Sequence, residues 1–118
     1  VLVVDDAPTL RTYISEVLKR AGYDVTTATD GADALEKLRE VAVDLVISDL
    51  EMPRMNGDEL VVEIKKREDM RTLPVILLTA QTDAKHRRAA AALGVAGYLT
   101  KPFDEARLLR AVSELVVS

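Results

Sequence analysis

Strand-like and helix-like segments alternate five times along this chain, and that alternation leaves few folds open. The strand-like runs cover 1–4, 24–28, 44–48, 74–78 and 97–100. Four of them are nearly all apolar, as strands covered on both faces should be. The run Asp24-Val25-Thr26-Thr27-Ala28 is more polar and belongs at an edge. Between the runs lie apolar stripes at helical spacing. Leu10, Ile14, Val17, Leu18 and Ala21 form the first, with Pro8 in its first turn and Gly22 past its end. The second spans about 31–40, with Ala34, Leu35 and Leu38 inward and Asp30 as N-cap. Asn56 precedes the third, where Leu60, Val61 and Ile64 face inward and Glu59 completes a capping-box pattern. The fourth, about 84–93, is alanine-rich and ends at Gly94. Asp104 opens the last, striped by Leu108, Leu109, Val112, Leu115 and Val116. Short βα connections of this kind imply parallel strands and right-handed crossovers. The expected fold is α/β: one doubly wound domain with a parallel five-stranded sheet and helices on both faces. A polar second strand at the edge points to the order 2-1-3-4-5, which makes the first and third strands neighbours.

Length and composition narrow the function classes. The 118 residues amount to one domain, 1–118, able to bury roughly two-thirds of its unfolded surface. The chain opens on a strand and closes on a helix, as a minimal single-domain protein or a trimmed larger one would. There is no cysteine, so disulfides and thiolate metal sites are excluded and a reducing, cytoplasmic setting is expected. The net charge is −4, with 16 basic and 20 acidic residues interspersed, which lacks the basic footprint of direct nucleic-acid binding. No apolar run approaches the ~20 residues that span a bilayer, and no signal-peptide pattern is present, so no membrane partner is expected.

The chemistry sits where the runs stop. Val1-Leu2-Val3-Val4 ends in Asp5-Asp6, Leu45-Val46-Ile47-Ser48 in Asp49, Val75-Ile76-Leu77-Leu78 in Thr79, and Tyr98-Leu99-Thr100 in Lys101-Pro102. In an open parallel sheet these side chains emerge at one edge, near the switch point where ligands bind. Three converging carboxylates repel one another unless a cation relieves them. Mg²⁺ prefers oxygen ligands and keeps several waters, so one or two direct carboxylates suffice. Asp6 and Asp49 are expected as direct ligands, with Asp5 acting mostly through water. Asp49 is the candidate nucleophile toward a phosphoryl donor, Lys101 a partner for a phosphoryl oxygen, and Thr79 a hydroxyl donor to another. Taken singly, Asp5-Asp6 would pass for a solvated turn, Lys101 for a surface lysine and Thr79 for an ordinary strand end. Their joint placement carries the reading. A tight reversal at Lys101-Pro102, with Asp104 opening a helix at once, calls for a cis bond.

VLVVDD, SDLEMPRMNG, PVILLTA and YLTKPF together resemble a response-regulator receiver domain of the CheY type, over the whole chain. The resemblance implies a flavodoxin-like fold and two-component signalling, in which Asp49 accepts a phosphoryl group from a phosphohistidine on a sensor histidine kinase or phosphotransfer domain. It implies a Mg²⁺ cofactor held by Asp5, Asp6, Asp49 and the backbone carbonyl of Glu51. It places Lys101 at the phosphoryl group, makes Thr79 a switch, and makes Tyr98 the aromatic that swings inward with it; a half-buried strand tyrosine is the plainer reading of Tyr98. The surface expected to change is formed by the fourth helix, fifth strand and fifth helix, facing a downstream protein or output domain. EMPRMNG with VDDAPTLR resembles receivers attached to CheA-type hybrid chemotaxis kinases. Ala96-Gly97 departs from the acidic pair common before the tyrosine, which suggests a loosely started fifth strand. Glu51 and Gln81 resemble positions that tune phosphoryl lifetime.

Such a domain transmits a signal rather than turning over a metabolite, so it is not expected to be an enzyme beyond assisting its own phosphorylation and dephosphorylation. One alternative is a pseudo-receiver that only binds partners; the intact Asp5, Asp6, Asp49, Thr79 and Lys101 set speaks against it. A small Mg²⁺-dependent phosphatase of the haloacid-dehalogenase kind would carry a second aspartate where Glu51 stands. A flavin site lacks its Ser/Thr/Gly-rich phosphate loop. His86, in the run Lys85-His86-Arg87-Arg88, reads as a solvated residue rather than a phosphodonor.

Overall fold

β-Branched and leucine-rich runs bounded by polar residues pair side by side, because each buries both of its faces only when a strand lies on either side and a helix layer above and below. The computed structural model describes residues 1–52, 55–80, 88 and 91–116. The elements are β1 (Leu2–Val4), α1 (Pro8–Arg20), β2 (Thr26–Ala28), α2 (Gly31–Glu40), β3 (Val46–Asp49), α3 (Gly57–Lys66), a 3-10 turn (Glu68–Met70), β4 (Val75–Thr79), β5 (Gly97–Thr100) and a C-terminal helix (Glu105–Leu115). The predicted helix over 84–93 falls outside the described residues, except that Arg88, Ala91 and Ala92 are helical.

All strand pairs are parallel and the order is β2-β1-β3-β4-β5, as the polar second run predicts. β1, β3 and β4 are buried along their length, whereas β2 leaves Thr27 exposed at its edge. The two-residue period of the strands splits the core into two layers. Leu2, Val4, Val46, Val75 and Leu77 pack with Ala34 of α2 and Leu60, Val61 and Ile64 of α3. On the other face Val3, Ile47, Ile76 and Leu78 pack with Ile14, Val17 and Leu18 of α1 and Leu108 and Val112 of the C-terminal helix. Each fully buried large side chain contributes about 1.5–3 kcal/mol, so these layers dominate the favourable side of folding.

Helix ends follow the local signals. Asp30 accepts from the Asp33 amide at 2.9 Å, and Asp104 accepts from the Arg107 amide at 2.8 Å. Asn56 and Glu59 form the reciprocal capping box, at 2.9 and 3.1 Å. Pro8 opens α1, and Gly22 follows its end with φ of 96°, a conformation that favours glycine. The Lys101-Pro102 bond is cis, as the tight reversal requires. The fifth strand is anchored at its start: the Ala96 amide donates to the Val75 carbonyl at 3.0 Å, despite the missing acidic pair.

Candidate functional site

The register of the central strands decides which side chains meet. Val4 stands opposite Ser48 in the β1–β3 pair, so the residues that follow, Asp5 and Asp49, emerge side by side. One carboxylate oxygen each from Asp5, Asp6 and Asp49 lies within 4.8 Å of the others. Asp5 is fully buried, Asp49 is 6% exposed and Asp6 faces solvent. The Lys101 ammonium donates to Asp49 Oδ1 at 2.8 Å. Asp5 Oδ1 accepts from the Ala7 amide at 2.8 Å, and Arg11 Nη1 donates to the Asp5 carbonyl at 2.7 Å. Asp5 Oδ2 is buried with no hydrogen-bond partner. A buried carboxylate oxygen without a donor is costly, and a cation between the three carboxylates would satisfy it. The residues present therefore fit a hard, oxygen-ligated divalent ion such as Mg²⁺.

Burial pushes the Asp5 carboxyl above its ordinary value. The Ala7 amide opposes the shift, Asp49 adds to it, Lys101 opposes it, and Asp6 adds to it. A carboxyl whose folded value is raised weakens the fold once ionised, and the penalty is relieved as pH falls through that raised value. In chelator at neutral pH, Asp5→Asn is therefore expected to be more stable than the parent by about 1–2 kcal/mol. The advantage should shrink in acid, where the parent's own Asp5 takes up a proton. Urea melts at neutral pH and near pH 4 read both effects, and a parent as stable as the variant at neutral pH would contradict them.

Backbone contacts lock Asp49 in place. Its carbonyl accepts from Ser48 Oγ at 2.9 Å, and the next amide, of Leu50, donates to the Leu78 carbonyl at 2.9 Å. The Gly57 amide donates to the Leu50 carbonyl at 2.8 Å. A Cβ on Gly57 would lie 2.7 Å from the Asp49 carbonyl oxygen, so only glycine lets the start of α3 come this close. Nothing in the sequence pattern alone gives Ser48, Gly57 and Arg11 a role at the site. The Asn56-Gly57 pair, seven and eight residues past Asp49, is the sequence signal for a close approach there.

Thr79 is the last residue of β4, only 1% exposed, and its carbonyl accepts from the Lys101 amide at 2.8 Å. Tyr98 is half-buried against the core layer that contains Leu77. It pairs with Leu77, while Thr79 pairs with Thr100. The two residues thus share a face of the sheet, with Tyr98 one pleat step back from the edge. Glu51 is exposed, two residues past Asp49. Gln81 and His86 lie outside the described residues. A separate cavity of about 510 Å³ opens at the other end of the sheet between Leu38, Val43, Met70 and Pro74, and none of the site residues line it.

A carboxylate held by an ammonium group, beside a carboxylate trio suited to a divalent ion, can place a phosphoryl group and neutralise it. The family model of the response regulator receiver domain matches residues 1–113. The chain belongs to that family. Hybrid signal transduction histidine kinase D of Dictyostelium discoideum is 40% identical over 116 residues. That match takes in 98% of this chain but spans only 7% of the length of that relative. Among solved structures, the chemotaxis protein CheY4 of Vibrio cholerae is similar with a TM-score of 0.93 at 36% identity, covering 98% of this chain and 96% of that one. The receiver domain of sensor histidine kinase PA1611 from Pseudomonas aeruginosa is similar with a TM-score of 0.89 at 32% identity, covering 99% and 96%. In that structure a magnesium ion is coordinated in the active-site cleft. No helix among the described residues is long and apolar enough to cross a membrane.

Proposed function

We propose that this receiver domain accepts a phosphoryl group on Asp49 from the phosphohistidine of a sensor histidine kinase or phosphotransfer domain, in a Mg²⁺-dependent step. The observation that carries the reading is the 2.8 Å contact between Lys101 Nζ and Asp49 Oδ1 beside the Asp5–Asp6–Asp49 cluster. An Asp49 oxygen attacks phosphorus as the bond to the imidazole nitrogen breaks, leaving an acyl phosphate on Asp49 and a free histidine on the donor. Lys101, already at Asp49, donates to an oxygen of the arriving group, and the Thr79 hydroxyl donates to another. Asp5, Asp6, Asp49 and the Glu51 carbonyl would hold Mg²⁺, which supplies neutralising charge to the phosphoryl oxygens. Attack by water later returns Asp49 to the carboxylate, so the domain is a switch that assists its own turnover rather than a metabolic enzyme. Attachment to a kinase, as in the hybrid relative, and a cytoplasmic setting belong to the same reading.

The output follows from Thr79 and Tyr98 sharing one face of the sheet. A Thr79 hydroxyl drawn toward the phosphoryl group vacates space that the Tyr98 ring enters, changing the surface that includes β5 and the C-terminal helix and is offered to a downstream protein or output domain. Moving such an equilibrium from mostly off to mostly on takes about 5 kcal/mol of differential stabilisation. Beryllofluoride, as a phosphoryl mimic, should shift amide signals along 84–112; shifts confined to the surroundings of Asp5, Asp49, Thr79 and Lys101 would mean no long-range switch.

Incubation with acetyl phosphate and Mg²⁺ should add one phosphoryl group by intact mass, lost on treatment with hydroxylamine as an acyl phosphate is. A folded protein that takes up none from any small donor would instead be a partner-binding pseudo-receiver.

A further inference from the structure

The chain has three methionines and no cysteine, so Met52, Met55 and Met70 are its only sulfur atoms. All three are partly buried against the same core layer, and Met52 and Met55 lie in the connection between β3 and α3 that follows Asp49. Met55 sits against the start of α2. A Cβ on Gly31, the first residue of α2, would lie 2.7 Å from Met55 Cγ and 2.8 Å from its Sδ. The thioether is thus pressed onto the one residue type that leaves it room. Two residues further along, Gly57 is pressed onto the Asp49 carbonyl. Only Asn56 lies between them, and the capping box with Glu59 holds it at the start of α3. Met55 is nevertheless partly exposed, so a small oxidant can reach it.

We propose that Met55 is a site of reversible oxidation to the sulfoxide, and that this modification weakens the Asp49 site. The inference rests on the reading of Asp49 as the phosphoacceptor. The oxidant is a peroxide. A sulfur lone pair attacks one peroxide oxygen, the O–O bond breaks, and water leaves; sulfur is oxidised by two electrons and the peroxide reduced. The product is a polar, chiral sulfoxide in place of a flexible apolar group. Its oxygen needs room on a thioether already packed against Gly31, so the backbone at Met55 must move away from α2. Because Asn56 ties Met55 to the start of α3, the displacement reaches Gly57 and the Asp49 carbonyl packed against it, beside the carboxylates. Thiol-dependent sulfoxide reductases, one for each epimer, would restore the thioether.

The test oxidises the protein with hydrogen peroxide, maps sulfoxides by peptide mass, and measures Mg²⁺ affinity by amide NMR and adduct formation from acetyl phosphate. Met55 sulfoxide should appear, Mg²⁺ affinity should fall about tenfold, the low end for disturbing the surroundings of a metal site, and the adduct should form correspondingly more slowly. Treatment with both reductases should restore each. Met55→Leu, a volume-conserving change, should behave as the untreated parent and ignore peroxide, whereas Met52→Leu and Met70→Leu should remain sensitive. The proposal is overturned if Met55 resists peroxide, if protein carrying its sulfoxide binds Mg²⁺ as tightly as before, or if Met55→Leu loses as much as the parent. A parent that forms no adduct before oxidation contradicts the phosphoacceptor reading instead, and the Mg²⁺ titration still decides the role of Met55.

Discussion

Asp49→Asn is expected to take up no phosphoryl group from acetyl phosphate and Mg²⁺ under conditions that fully modify the parent. An amide oxygen is a far weaker nucleophile than a carboxylate, so the loss should be complete within detection. The fold should survive. The substitution keeps the volume of a side chain that is 6% exposed, and the amide oxygen can still accept from Lys101 Nζ, 2.8 Å away in the parent. It also removes one of three like charges, which offsets part of the lost ion pair with Lys101. Metal-free stability should therefore stay within about 1 kcal/mol of the parent. The stabilisation that Mg²⁺ gives the parent by mass action should be much smaller in the variant, because a ligand is gone. Intact mass and urea melts with and without Mg²⁺ read these effects. A hydroxylamine-labile adduct on a folded Asp49→Asn protein would place the acceptor elsewhere.

Gly57→Ala is expected to destabilise the domain by roughly 1–3 kcal/mol, the range for forcing an extra methyl into a packed site. The new Cβ would lie 2.7 Å from the Asp49 carbonyl oxygen, 2.8 Å from Leu77 Cδ2 and 3.0 Å from Leu50 Cα. Leu77 can rotate, but the other two atoms are backbone, and one belongs to the candidate nucleophile. Helix propensity alone predicts the opposite sign, since alanine is favoured over glycine by up to about 1 kcal/mol. The direction of the change thus separates steric exclusion from propensity. Phosphorylation should slow as well, because relief of the clash pushes Asp49 away from Lys101. Urea denaturation supplies the first measurement and the acetyl phosphate reaction the second. A variant as stable as the parent would mean that α3 does not approach β3 this closely.

Much of this protein is written locally. Strand runs such as Val75-Ile76-Leu77-Leu78 and the caps Asp30, Asn56 with Glu59, and Asp104 act over a few neighbours, so periodicity and side-chain chemistry predict them. The structure moves strand ends by only a residue or two, bringing Asp49 and Thr79 inside β3 and β4 as their last residues. Convergence of Asp5, Asp6 and Asp49 was also legible, because short crossovers leave few strand orders and the polar 24–28 run selects among them.

Other features depend on how distant segments meet. The sequence does not show that Asp5 is buried while Asp6 is exposed, that one Asp5 oxygen lacks a donor, or that Arg11 binds the Asp5 carbonyl. Nor does it show that Tyr98 stands opposite Leu77 rather than at the edge beside Thr79. The contacts of Gly57 with Asp49 and of Gly31 with Met55 join residues on different elements, and their closeness is set by how each helix settles on the sheet. Alternation and capping follow from interactions between near neighbours, so the sequence by itself determined the elements, their order and the edge where the chemistry gathers. Burial, register and close backbone approach follow from packing two layers on one sheet, so only the tertiary structure decided which carboxylate is desolvated, where Tyr98 stands in register and which glycine lets α3 approach Asp49.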